Sequence, residues 1–391
     1  MPYDAIILGA GGAGLLAAAT AGQAGARILV IDHADKPGKK ILISGGGRCN
    51  FTNIGTEPER FLSENPHFAK SALGRYTHWD FLVLIEKHGI AWHEKTLGQL
   101  FCDGSARQVV AMLLDECARG GVELRLGTAI GEIGHADGRF RVAGAEAPRL
   151  VIATGGPSIP KMGATGVAYD IARRFGLPIV PPRPALVPFI LGPQDQAFRD
   201  IAGVSCPTVA QTGGVAFEEA ALFTHRGLSG PAILQVSSYW SPGAEVSLDL
   251  LPDAAETLRA ARRRIPRAHL KAALAEHLPT RLAEVLAGRI GLATELGNLS
   301  DAALDRAADA LRHCTFRPTG TEGYAKAEVT AGGVDTAALS SRTMEAREVP
   351  GLHVIGEAVD VTGWLGGYNF QWAWSSGVAA GEAIAAGRTG A

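Results

Sequence analysis

Three short apolar runs, Ala5 to Leu8, Leu150 to Ala153 and His353 to Ile355, end before Gly9, Gly155 and Gly356. A strand buried on both faces shows no polar alternation, so each run predicts a parallel strand feeding a turn. The first and last runs share a strand, turn and helix pattern although they stand near opposite ends of the chain. That pattern predicts one discontinuous domain whose two ends meet in a single sheet.

Between these runs the pattern changes twice. The stretch Leu177 to Pro188 carries five prolines, which exclude a helix interior and a central strand, and marks the exit from the first domain. Alternation over Glu245 to Leu250 predicts half-buried antiparallel strands up to about Leu251. From Asp253 to His313, Ala, Leu, Arg and Glu recur at helical spacing, with a start signal at Ser300-Asp301 ahead of Leu304, Ala307, Ala308 and Leu311. The turn-rich segment Arg317 to Gly323 predicts the return. The expected fold is α/β, a doubly wound Rossmann-like domain in two parts (1–183 and 316–391), interrupted by a small β domain (184–251) and a helical subdomain (252–315).

Glycine occupies 50 of 391 positions, roughly twice the usual share of about 7%. Its clusters therefore carry information. Gly9, Gly11 and Gly14 form a G-x-G-x-x-G turn, with Gly12 and Ala13 inside it, after the first strand and before an alanine-rich helix. Gly9 permits the tight turn, Gly11 lets a pyrophosphate approach the backbone, and Gly14 allows close helix-to-sheet packing. Asp32 closes the next strand, beside His33, where a carboxylate accepts hydrogen bonds from a ribose. These features predict an ADP-containing dinucleotide.

Two further segments narrow the nucleotide to FAD. Gly45, Gly46, Gly47, Arg48, Cys49 and Asn50 follow Lys40, and successive backbone N–H groups with a guanidinium suit a long dinucleotide with its diphosphate. Near the C-terminus a strand ends at Gly356-Glu357, followed by Asp360 and by Gly367, Tyr368, Asn369 and Phe370 at the start of a helix. That helix terminus is expected to face an electron-rich flavin carbonyl, and Asp360 the ribityl chain or pyrophosphate. Ala153, Thr154, Gly155 and Gly156 form a third strand-to-glycine passage beside the cofactor.

Charge and cysteine content exclude other classes. The formal net charge of −2 provides no global field for nucleic acid or anionic membrane, which predicts a small-molecule substrate and no nucleic-acid partner. No apolar run reaches the roughly 18 residues of a membrane span, and the chain opens on a strand-like segment, which predicts a cytoplasmic protein. Five widely spaced cysteines predict free thiols, and the histidines lack metal-ligand spacing, so no metal is expected.

The segments GAGGAGLLAA, GKKILISGGGRCNFTN, ATGGPSIPKMGATGVAYDIA, PALVPF, LFTHRGLSGPAIL, AEVTAGGV and IGEAVDVTGWLGGYNFQWAWSSG resemble a bacterial FAD-dependent flavoprotein family. That family includes aminoacetone oxidase and the flavoprotein of bile-acid dehydroxylation operons. The resemblance spans almost the whole chain. It implies an FAD domain split by an inserted β-barrel domain and a helical domain, with residues 45–50 and 366–371 against the flavin. Where relatives carry Gly-Asp-Gly-Tyr, this chain has Gly166-Val167-Ala168-Tyr169, and Phe101-Cys102 replaces their Phe-Pro.

A flavin performs redox chemistry itself, so the protein needs to supply orientation and at most one acid or base. His225 is the candidate for that role, because it precedes a helix start in the insertion. The leading expectation is an FAD-dependent oxidoreductase acting on a small organic substrate by amine or C–H oxidation, or by reduction of an activated double bond. NAD(P)H or oxygen would be its redox partner. NAD(P)H would visit only transiently, since no second dinucleotide turn follows. One alternative is an FAD-dependent RNA-modification protein whose arginine run Arg259, Arg262, Arg263, Arg264 and Arg267 grips RNA. The other is a flavin-binding protein without turnover.

Overall fold

The computed structural model describes residues 3–387 and divides into two compact units, Met1–Arg183 with Val329–Ala391, and Pro184–Glu328. At the centre of the first unit is a five-stranded parallel sheet in the order Leu352–Val354, Leu150–Ile152, Ala5–Leu8, Ile28–Ile31, Glu123–Arg125. The three glycine-terminated runs are thus adjacent strands, with Ile6 opposite Leu150 and Leu150 opposite Leu352. All their residues are buried, as expected when both faces of a sheet are covered.

Small residues let two helices approach closely beside that sheet. The helix Gly12–Gln23 packs against the C-terminal helix Tyr368–Ala386. A Cβ at Gly377 would lie 2.7 Å from the Ala13 carbonyl oxygen, and one at Gly381 2.8 Å from that of Ala17. Any side chain there would force the helices apart. Trp374, fully buried, stacks on Phe81 at 4.3 Å and donates from Nε1 to the Phe51 carbonyl at 2.8 Å. It ties the C-terminal helix to a small antiparallel sheet of Asn50–Asn53, Gln99–Cys102 and Trp92–Glu94.

The proline-rich stretch is not wholly irregular. Among the described residues, Ile179–Ala185 is a strand paired only with Val329–Val334, a two-stranded arrangement in which prolines need not donate to a second neighbour.

The second unit contains a seven-stranded sheet in the order Cys314–Phe316, Val246–Asp249, Ser205–Thr212, Val215–Phe223, Gly227–Ser229, Phe189–Ile190, Gly320–Thr321. Its helices include Ala254–Arg264, Thr280–Ile290 and Asp301–Arg312. Ser300 caps the last of these by accepting from Ala303 N at 3.2 Å, and Leu304, Ala307, Ala308 and Leu311 form its buried face. Phe316 pairs with Val246, and Gly320–Thr321 with Phe189–Ile190. The chain therefore rejoins the first unit at Val329, past the turn that the sequence pattern marks as the return. Among the described residues, no helix is long and apolar enough to cross a membrane.

Candidate cofactor cradle

The first glycine turn is built by close contacts at two positions and by open space at a third. Gly9 has φ +108°, and a Cβ on it would lie 2.5 Å from the Ala153 carbonyl oxygen. A Cβ on Gly14 would fall 2.0 Å from the Gly9 carbonyl oxygen. A Cβ on Gly11, by contrast, would meet no atom of the described residues within 4 Å beyond its chain neighbours. No side chain caps the helix that starts at Gly12, so its first N–H groups face this space with the positive end of the helix dipole. Asp32 braces the turn, accepting from Ala10 N at 2.6 Å and Ala34 N at 2.7 Å, with His33 Nδ1 at 3.5 Å. A carboxylate has about four acceptor sites, so capacity for a ribose remains.

Lys40 and Glu357 meet across the cradle. Lys40 Nζ donates to Ser158 Oγ at 2.6 Å and to Glu357, whose other oxygen accepts from Ser158 Oγ at 2.7 Å and Thr330 N at 2.9 Å. Burial pushes the Glu357 carboxyl up, but the Lys40 charge and the three hydrogen bonds outweigh it and hold it below the usual carboxylate range. Ser158 and Thr330 were not legible in the sequence. Neither belongs to a local motif, and only the fold brings them to Glu357.

The second glycine loop requires left-handed backbone, with φ of +56°, +67° and +86° at Gly45, Gly46 and Gly47. Cys49 follows at φ +57°, buried, its thiol pushed up to about 12 chiefly by desolvation. Arg48 is exposed, and its carbonyl accepts from Cys102 N at 3.1 Å. Beside Gly155 (φ +72°), a Cβ on Gly156 would clash with Thr330 Oγ1 at 2.6 Å. The hydroxyls of Thr154 and Thr330 are buried without hydrogen-bond partners among the described residues. Orphaned hydroxyls, open space at Gly11 and Gly46, and two helix termini without side-chain caps fit a bound dinucleotide.

At the C-terminal segment the structure uses several flagged side chains to hold the loop itself. Gly356 N donates to Ser376 Oγ at 3.0 Å, and its carbonyl accepts from Trp372 Nε1 at 3.0 Å. Asn369 accepts from Gly363 N at 2.8 Å and donates to Gly363 O at 2.9 Å, and the Tyr368 hydroxyl accepts from Arg60 at 3.0 Å. Phe370 stacks on Trp374 at 5.6 Å. Asp360 is buried, raised by desolvation, and accepts from Glu64 N at 2.8 Å, anchoring a neighbouring segment. A Cβ at Gly367 (φ +101°) would lie 2.3 Å from the Thr52 carbonyl oxygen, so the helix can begin only from glycine there. No side-chain hydrogen bond caps this helix start.

His225 lies in the second unit, exposed on the turn between Val215–Phe223 and Gly227–Ser229, where its carbonyl accepts from Arg199 at 3.1 Å. The arginine run is largely neutralised: Arg259 pairs with Asp305, Arg262 with Asp301 at 2.6 Å, and Arg264 with Glu276.

A family model described as "HI0933-like protein Rossmann domain" matches residues 3–383. The chain belongs to this family. This HI0933-like chain is 54% identical to the ribosomal RNA dihydrouridine synthase of Escherichia coli (strain K12), over 99% of each chain. It is 46% identical to the protein of the same name from Haemophilus influenzae, over 96% of each. A 3-dehydro-bile acid delta(4,6)-reductase of Clostridium scindens is 30% identical, over 97% of this chain and 98% of that one. Among solved structures, Mycobacterium smegmatis Sdh1 in complex with UQ1 aligns with TM-score 0.50 and 15% identity, covering 100% of this chain and 69% of that one. That likeness shows the shared fold.

The HI0933-like chain is thus a flavin-dependent oxidoreductase with FAD as cofactor. The expectation of a small organic substrate and no nucleic-acid partner is corrected by the 54% and 46% relatives, both named for an enzyme of ribosomal RNA. It rested on a net charge near zero, which sums over the chain and says nothing of where charges are placed.

Proposed function

We propose that this protein reduces a uridine of ribosomal RNA to dihydrouridine. The observation that carries the reading is 54% identity along 99% of both chains to a protein named for that reaction. The uracil C5=C6 bond is conjugated with the C4 carbonyl, so the reaction belongs to the class of reductions of an activated double bond. Bound FAD supplies the two-electron reduction.

The protein's part is to hold the cofactor and to admit a base. The helix start at Gly12 would offer N–H groups to the pyrophosphate, the start of the C-terminal helix would face the flavin carbonyl, and Asp32 would accept from the ribose. Gly45 to Asn50, Lys40, Glu357 and the Thr154–Gly156 passage would hold the remainder. A stacked base is out of reach, so the target uridine must be single-stranded or turned out of its helix. NAD(P)H is the transient electron donor, and the cytoplasm, where ribosomes are made, is the compartment.

The test is to incubate purified FAD-loaded protein with unmodified ribosomal RNA transcript and NADH or NADPH, and to map dihydrouridine by mass spectrometry. One uridine gaining two hydrogen atoms is expected. If neither nicotinamide nor chemically reduced protein yields dihydrouridine in any ribosomal RNA, the reading is wrong.

A further inference from the structure

Beside the cradle, one face of the three-stranded antiparallel sheet carries a titratable pair without an assigned role. Asn50 is opposite Phe101 in one ladder and His93 is opposite Phe101 in the other, so all three side chains share a face. Gln99, two residues from Phe101, joins them, its amide hydrogen-bonded to that of Asn50 at 3.2 Å. This face is seated against both glycine loops. A Cβ on Gly45 would lie 2.7 Å from Phe101 Cε1, and one on Gly366 would lie 2.9 Å from Gln99 Cγ. His93 stacks on Phe101 with centroids 6.0 Å apart and planes 15° apart. Lys95 Nζ lies 5.5 Å from the centroid of the same ring.

His93 is also held by a carboxylate. Its Nδ1 lies 2.6 Å from Asp103 Oδ1, and both side chains are about half exposed (40% and 50%). Engagement of Nδ1 directs Nε2 away from the carboxylate, the arrangement in which an acid orients an imidazole for proton transfer. The pair is accessible to a macromolecular substrate and reaches the flavin loop through a single ring.

We propose that His93, oriented by Asp103 and backed by the buried Phe101 ring, donates the proton that completes uridine reduction, while Lys95 receives a phosphate of the RNA beside it. The inference rests on the dihydrouridine reading above. A hydride equivalent from reduced flavin forms the C6–H bond, and the C5=C6 π pair takes a proton at C5 from His93 Nε2. The double bond becomes single, the flavin loses two electrons, the uracil gains them, and water reprotonates His93. Of the groups on this face with a transferable proton, Lys95 lacks a carboxylate partner among the contacts described for it. Its ammonium suits a phosphate better than an oriented transfer.

The test uses FAD-loaded full-length protein, reduced with dithionite so that the electron donor plays no part, and ribosomal RNA transcript. His93→Gln is expected to slow dihydrouridine formation by about 100-fold or more, the range of a lost general acid. FAD content, flavin absorbance and RNA affinity should stay within about twofold of wild type, which shows that the variant folds. Asp103→Asn, a second and milder variant, should lower kcat with KM for RNA unchanged. A readout independent of turnover is the His93 imidazole resonance of the oxidised holoprotein, which should shift when a uridine-containing fragment of the target RNA is added. If His93→Gln retains the wild-type rate, or its resonance ignores the RNA, the proposal is overturned. If wild type itself makes no dihydrouridine, the functional reading fails first, and the two failures are distinct.

Discussion

Lys40 is the counter-ion of Glu357, and Ser158 bridges them, its hydroxyl accepting from the ammonium and donating to the carboxylate. Lys40→Met leaves the carboxylate without its cation. A fully buried pair would cost about 3–5 kcal/mol to break, but Lys40 is 38% exposed, and solvent screening reduces this to about 1–2 kcal/mol. Urea unfolding at neutral pH checks the loss. Because the folded pKa of Glu357 is depressed, its contribution is present above the ordinary carboxylate range and is lost as pH falls through the folded value. The difference between variant and wild type should therefore shrink in acid.

The glycine turn separates folding from ligand binding. Gly14→Ala places a methyl 2.0 Å from a carbonyl oxygen, and should destabilise the protein by about 3 kcal/mol as well as abolish FAD retention. Gly11→Ala meets no atom within 4 Å and has an ordinary φ of −83°, so the apoprotein should melt as wild type does. FAD affinity should nevertheless fall, because the methyl enters the space left for the pyrophosphate. Melting curves with and without added FAD distinguish the two variants.

Acid sensitivity should centre on a second buried carboxylate. Burial pushes Glu116 up, but hydrogen bonds from Lys87 (2.8 Å), Gln23 (2.7 Å) and His88 (2.7 Å) overcome it and hold the group at about 2. These bonds staple three helices of the first unit. A depressed carboxylate stabilises above its unfolded pKa, so the contribution is complete above about pH 5 and disappears between there and about pH 2. At about 1.4 kcal/mol per pKa unit the whole shift would be about 3 kcal/mol, and solvent screening at Lys87, 46% exposed, reduces this to about 1–2 kcal/mol. Glu116→Gln should lose this much at pH 7 and converge with wild type near pH 2, measured by denaturant melts across that interval.

His225 and His93 are separable by mutation. His225 is exposed on a turn, so His225→Ala should leave stability unchanged within about 0.5 kcal/mol. It should alter the rate of dihydrouridine formation by less than about threefold, against the 100-fold loss at His93. A larger loss at His225 than at His93 would reverse the assignment of the proton donor.

The sequence alone determined the elements whose causes are local. Apolar runs without alternation identified the strands Ala5–Leu8, Leu150–Ile152 and Leu352–Val354 of the parallel sheet, and the first glycine turn identified a dinucleotide, because Gly9 and Gly14 are required by backbone contacts that no other residue tolerates. Tertiary structure decided which side chains are free. Tyr368, Asn369 and Asp360 looked available in the chain, but Asn369 closes its own loop while Tyr368 and Asp360 hold Arg60 and Glu64 of a distant segment, whereas Ser158 and Thr330 acquire roles only when distant segments meet at Glu357. The His93–Asp103 pair shows the same limit. Ten residues apart and without a motif, these two side chains become a unit only because a strand pair brings them together. Local propensity is carried by neighbours in sequence, but the partner of a charge or a hydroxyl is chosen by the fold.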